Sequence, residues 1–288
     1  MKFLIKKIYI ILFLLCTLFT EANVSATENY SDYTKENISN YFSGMLSINQ
    51  NNNKETLKYL KKIKPLKKKH TRFNVEYLRT LVLLERFEDA FSFSKSLSNN
   101  QQSFYESDLL IGLEYFLKND YNKAEIFFER LNKISRYNLF FSDFIGNSLI
   151  SWSKASQNNK QDSFKFIEKI PKPYQHLKKI QNTFLKCYFS DPKTKKSFET
   201  LVGDENYNFS RYNFFLTNYL LHDNKIDQAK EAIKKARKKN SSNILLKQAD
   251  IFLQKNESKK IINFYNCKNP KDSLAEFFYI MANLYSNE

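Results

Sequence analysis

Ile111-Gly112-Leu113-Glu114-Tyr115, followed six residues later by Tyr121-Asn122-Lys123-Ala124-Glu125-Ile126-Phe127-Phe128-Glu129-Arg130-Leu131, is the stretch that decides the fold. Ala124, Phe128 and Leu131 stand at i, i+4 and i+7, one face of an amphipathic helix. Lys118-Asn119-Asp120 separates two such segments. Asn and Asp side chains bond to nearby backbone, so they stop one helix and cap the next. Small residues at Gly112 and Ala124 let the two helices approach closely, and Tyr115 and Phe128 fill the space towards a further hairpin. One hairpin cannot bury its apolar face alone, so further copies are expected on either side.

They are found at a period of 34. Gly44, Gly112 and Gly146, three of the four glycines, are separated by 68 and 34 residues, and Leu78 fills the vacant point between the first two. Twelve residues beyond the first three points come Thr56, Ala90 and Ala124. A second unit places Leu78, Ala90 and Leu97 in matching positions, and a sixth places Leu220, Ala229, Ile233 and Ala236. Self-similarity at such a period marks a stacked array of helical units.

The pattern of a small residue, an aromatic, an Ala and a second aromatic in the third unit resembles the tetratricopeptide repeat. The resemblance implies an all-α chain: a right-handed superhelical solenoid of about seven helical hairpins plus a terminal helix. The apolar spacing and polar breaks predict helices over 37–50 and 53–64, 71–84 and 87–98, 103–118 and 121–134, 138–155 and 160–170, 173–189 and 192–202, 207–222 and 225–239, 242–255 and 257–265. A last helix runs from Asp272 to Tyr285. Its apolar face, Leu274, Phe277, Phe278, Met281 and Leu284, suits either a cap on the array or a missing partner helix, so self-association through 272–285 is one expectation.

Composition agrees with long helices and short polar turns. The 288 residues include 27 Phe and 18 Tyr but only 4 Gly and 5 Pro, too few for a turn-rich β protein or a glycine-rich phosphate loop. The formal charge of +16 points either to an anionic partner or to a codon bias that over-uses Lys, Asn, Ile, Phe and Tyr together. The one dense basic run is Lys58, Lys61, Lys62, Lys64, Lys67, Lys68 and Lys69.

Residues 1–26 read as a cleaved export signal. Lys2, Lys6 and Lys7 precede the apolar run Ile8 to Phe19, and Val24-Ser25-Ala26 forms a small-residue cleavage site. The run is 12 residues long, against the roughly 20 that a spanning helix needs. Leu14 and Leu15 before Cys16 argue against a lipoprotein. The expected layout is a short linker over 27–36 and a repeat domain over 37–288. The expected location is the periplasm, with no integral membrane segment after cleavage and no nucleic-acid partner. Asn37-Ile38-Ser39, Asn208-Phe209-Ser210 and Asn256-Glu257-Ser258 are sequons, which also fit a eukaryotic secretory route.

The search for chemistry finds no catalytic constellation, and neither a metal nor a cofactor is expected. His70, His176 and His222 stand alone on separate units, and no Gly-x-Ser-x-Gly elbow occurs. Trp152 reads as core. Glu125 with Glu129, and Asp143 with Asn147, lie one turn apart and read as solvated helix faces. Cys187 sits among Phe184, Leu185, Tyr188 and Phe189 and reads as buried and inert. A bond from Cys187 to Cys267 is not expected, because the two lie more than two repeats apart and solenoid repeats touch only their neighbours.

Binding remains. The resemblance implies that first helices line a concave face that holds a protein or peptide partner. Carried over, the contact positions are Tyr41, Met45, Arg72, Arg79, Glu106, Leu113, Asp143, Asn147, Arg211 and Asn218. Arg72 and Arg79 lie two turns apart and are placed to clamp a carboxylate. The expected function is an exported binding scaffold or adaptor and not an enzyme. The alternatives are a non-catalytic helical arm of a cell-wall-acting lytic enzyme or an envelope assembly factor, possibly cut short, and a surface binder working through the basic run.

Overall fold

The structure is a computed structural model that describes residues 33–68, 70–99, 102–134 and 142–286. The expected leader and most of the linker lie outside these residues. Among the described residues there are fifteen α-helices and no strand. They divide into two compact units between Phe87 and Glu88.

The first unit holds α1 (Lys35–Asn49), α2 (Asn53–Leu60), a 3-10 segment (Lys61–Lys68) and α3 (Thr71–Leu83). Each α-helix starts on a side chain that accepts from the backbone three residues on: Thr34 from Asn37 N, Asn52 from Glu55 N and the His70 ring from Phe73 N. The α1–α2 hairpin closes at Gly44, where an added Cβ would lie 2.6 Å from Leu60 Cδ2. Leu60, Ile63, Leu66 and Phe73 form the core. Residues 33–87 carry twelve Lys and Arg against four Glu, so this short unit is strongly basic.

The second unit takes up most of α4 (Phe87–Ser98), then α5 (Tyr105–Leu117), α6 (Tyr121–Ile134), α7 (Ser142–Ser156), α8 (Lys160–Glu168), α9 (Gln175–Tyr188), α10 (Thr194–Val202), α11 (Tyr212–His222), α12 (Ile226–Lys239), α13 (Ile244–Gln254), α14 (Ser258–Ile262) and α15 (Pro270–Ser286). From α5 to α14 each helix packs on the next in chain order. One continuous core runs through them, with Phe116, Phe128, Phe144, Trp152, Phe184, Phe198, Phe215 and Phe277 fully buried. Gly112 is the close-contact point of α5 and α6: an added Cβ would overlap the buried Phe128 ring.

The repeat is most regular in a feature the glycines do not reveal. Asn51, Glu85, Asn119, Asn158, Ser190, Asn224 and Asn256 all have φ between 53° and 64°, at successive spacings of 34, 34, 39, 32, 34 and 32 residues. Each ends the first helix of a hairpin. The next residue's N–H then reaches back to a carbonyl of the last helical turn, as in Asn52 to Ser47 (2.9 Å), Asp120 to Tyr115 (2.9 Å) and Lys225 to Leu220 (2.8 Å). This is the paired C-terminal closure that left-handed residues provide. Asn supplies five of the seven because its short polar side chain tolerates that conformation best after glycine.

Three expectations need correction. Residues 203–211 are a loop between α10 and α11, not the first turns of a helix from 207. Asp204 pairs with Lys179 at 2.6 Å, and Tyr207 stacks on His176 at 4.9 Å, so this loop is tied down against α9. Second, much of the α15 face offered above to a partner helix is already packed within the chain. Its inward residues Leu274, Phe277, Ile280 and Met281 are buried against α7 and α9 of the same chain, with Phe277 5.5 Å from Phe144. Third, Cys187 and Cys267 form a disulfide, their Cα atoms 5.7 Å apart. The neighbour-only rule fails here because the segment after α14 turns back and lies along the inner faces of α9 and α11.

Candidate functional site

Three surfaces are built by these elements. The first is a trough along α7, α9 and α11, and it is filled. Tyr265 inserts fully buried between Phe184 (5.3 Å) and Phe215 (4.9 Å), and its hydroxyl meets Ser273 Oγ at 2.8 Å. Burial pushes the Tyr265 phenol far up. The Asn218 amide donates to the carbonyls of Ile261 (2.7 Å) and Tyr265 (2.9 Å). Arg211 forms a two-bonded pair with Glu276, at 2.9 and 2.8 Å, and lies 3.8 Å from the Tyr279 ring centroid. Burial raises the Glu276 carboxyl above its ordinary value even against that guanidinium.

The second surface is an open cleft of about 1240 Å³ in the second unit, walled by α10 and α12 and floored by α11. The nine residues from Gly203 to Arg211 connect α10 to α11, and those from Gly203 to Ser210 line the cleft. Its apolar lining comes from Val202 on α10, Leu216 and Leu220 on α11, and Ala232 and Ala236 on α12. The rest of the lining is polar, with the amides Asn206, Asn213, Gln228 and Asn240 among four Lys and four Asp and Glu side chains. Each amide offers two donors and an acceptor with two lone pairs. Lys195 crosses one end to Gln228 at 2.9 Å. Burial first, and Lys179 second, hold the His176 ring below its ordinary pKa, which favours the neutral form that stacks on Tyr207.

The third surface is a dish of about 380 Å³ in the first unit, with Lys54, Lys58, Lys61 and Arg86 around Leu57 and Leu84. Lys58 is held by Glu55 at 2.9 Å.

The ten residues expected to contact a partner are scattered among these environments. Tyr41 is half-buried beside the first core, its ring 5.1 Å from His70, and Met45 is half-buried. Arg72 and Arg79 are exposed on α3. Glu106 and Asp143 are exposed, and Leu113 is half-buried against the second core. Asn147 is buried and accepts from Asn132 at 3.3 Å, so the Asp143–Asn147 pair is not the solvated face expected of it. Glu125 likewise bonds to Lys154 at 2.6 Å with little exposure. Arg211 and Asn218 grip the chain's own 261–276 segment. Trp152 is buried, donating to Gln181 at 2.8 Å. His222 lies 3.3 Å from the Tyr265 carbonyl.

The cleft was missed from sequence because it depends on a loop length and not on a residue motif. Among the described residues no group of three or more metal-ligating side chains converges. No described helix is long and apolar enough to cross a membrane. No family model, curated protein or solved structure matches the chain.

Proposed function

We propose that this chain is an exported, non-enzymatic scaffold of tetratricopeptide type, and that it holds a peptide segment of a protein partner in the cleft between α10 and α12. The observation that carries this reading is the cleft's combination of apolar and amide side chains in one lining. The half-buried Val202 and Ala232 offer a seat for an aliphatic or aromatic anchor, while Asn and Gln side chains pair with a partner's backbone N–H and C=O groups. The trough that the resemblance would select is occupied by α15, which shifts the binding surface outward. Seven left-handed turns at near-constant spacing support the solenoid assignment. The Cys187–Cys267 bond supports an oxidising, extracytoplasmic location such as the periplasm.

The test is affinity capture from the source organism's envelope extract. It compares the parent chain with Ala232→Arg, which fills the cleft from α12, and with the Arg72→Glu/Arg79→Glu pair. One protein retained by the parent and by the Arg pair, and lost with Ala232→Arg, is the expected result. Retention that ignores Ala232→Arg but is lost with the Arg pair would move the site to the first unit and overturn the cleft assignment.

A further inference from the structure

The trough occupant is tied down unevenly. Its covalent tie and two of its charged ties gather within residues 267–271, and a third charged tie, Glu276 to Arg211, lies in the middle of α15. Cys267 is bonded to Cys187 at the C-terminal end of α9. The Lys268 ammonium sits on the carbonyls of Cys187 (3.1 Å) and Tyr188 (2.7 Å) and on Ser190 Oγ. Lys271 reaches the Leu117 carbonyl at the end of α5, at 2.8 Å. Two helix ends, those of α9 and α5, are therefore gripped from one short strap, and cations suit such ends. Beyond Glu276 the buried residues of α15 are Phe277, Ile280 and Met281, while Tyr279, which lies under the Arg211 guanidinium, Ala282 and Asn283 are exposed.

The trough is also built like a receptor for a helix. It offers an aromatic seat at Phe144 and a guanidinium at Arg211. The occupant answers with Leu274, Phe277 and Met281 on one face and Glu276 for the cation. This is the anchor spacing by which amphipathic helices bind grooves in trans.

We infer that the Cys187–Cys267 disulfide is a reducible latch on this trough: oxidised, it keeps α15 seated, and reduced, it lets the trough accept an amphipathic helix of another protein with the same pattern of an acidic residue among Leu and aromatic anchors. The reductant is a dithiol protein or small thiol. Its thiolate attacks the sulfur of Cys267, the less buried of the two residues, and the buried Cys187 departs as thiolate and takes up a proton. A second thiol then attacks the mixed disulfide, releasing Cys267 as a thiol and leaving the reductant oxidised by two electrons. The reduced strap still tethers α15, so a free helix competes with a high local concentration and wins only as the tether loosens. The inference is independent of the α10–α12 cleft.

The experiment uses the full chain, oxidised or reduced with a phosphine, alongside Cys187→Ser/Cys267→Ser. Hydrogen exchange is read over α15 and over the α5–α6 hairpin, and binding of a fluorescent synthetic peptide of residues 270–286 is measured in both states. The expected result is a fall of about tenfold or more in protection over α15 alone on reduction. It is accompanied by peptide binding about tenfold tighter to the reduced chain, lost with Glu276→Ala in the peptide. Unchanged protection, a loss spread equally over α5 and α6, or selective loss without peptide binding each overturns the latch. The double Ser variant repeats the comparison without a reductant, and reduction of the parent chain covers the case in which that variant fails to fold.

Discussion

Arg211 and Glu276 stand 65 residues apart in the chain and close a two-bonded pair between the start of α11 and the middle of α15. Glu276 is only 5% exposed, so a carboxylate stripped of its cation has no water to replace it. Arg211→Ala is expected to cost about 3 kcal/mol in urea unfolding, since removing one partner leaves a buried charge unpaired. The double change Arg211→Met/Glu276→Leu is expected to cost less than that single one. A double variant as unstable as the sum of both singles would show that the pair carries no coupling.

Gly112→Ala tests the helix contact at the clearest repeat. Alanine gains about 1 kcal/mol of helix propensity. The added carbon overlaps the fully buried Phe128 ring, and such overpacking costs about 1–3 kcal/mol. A net loss of about 1–2 kcal/mol in thermal unfolding is expected. Gly203→Ala, whose Cβ would meet the backbone oxygens Glu199 O at 3.1 Å and Thr200 O at 3.9 Å, should stay within about 0.5 kcal/mol of the parent.

Glu85 is the least suited of the seven left-handed residues, a long exposed side chain at φ 57°. Glu85→Gly removes a Cβ clash of about 1–2 kcal/mol and adds chain entropy of about 0.5–1 kcal/mol to the unfolded state. A small net gain in urea stability is expected. Glu85→Val, branched at Cβ, should lose stability in the same assay.

The His176 ring and Tyr207 give the cleft a pH dependence. The folded-state pKa of His176 lies below its ordinary 6.5, so the stabilisation is complete above that value. It is lost as pH falls through the lowered folded-state value, because the unfolded chain then binds the proton more readily. Amide protection over 203–209, corrected for intrinsic exchange, is expected to drop on acidification below pH 6.5. His176→Phe keeps the stack and should remove that dependence.

Much of the helical order was legible from local chemistry. Asn119 and Asp120 marked a turn because short polar side chains compete for backbone, and Gly112 and Ala124 marked a contact because nothing larger fits there. Tyr207 and Phe209 fall inside the helix expected from 207, but the chain between Gly203 and Arg211 is a loop of bends and turns tied to His176 and Lys179. The return of the chain after Ile262 was illegible for a different reason. Cys187 and Cys267, or Phe144 and Phe277, meet only after several hairpins have accumulated their rotations, and no local pattern encodes that sum. Asn218 shows the limit for site residues: its position on an inward face was readable, but its occupant, the Ile261 and Tyr265 carbonyls, was not.

The sulfur bridge also fixes how the molecule bears mechanical load. A pull on the two ends of the chain enters at Cys187 and leaves at Cys267, so the 79 residues between them carry no tension. About 270 Å of contour length is thereby withheld from extension for as long as the bond is intact. α10 to α14, and the cleft among them, are thus shielded from force, while the helices before Cys187 unravel first under load.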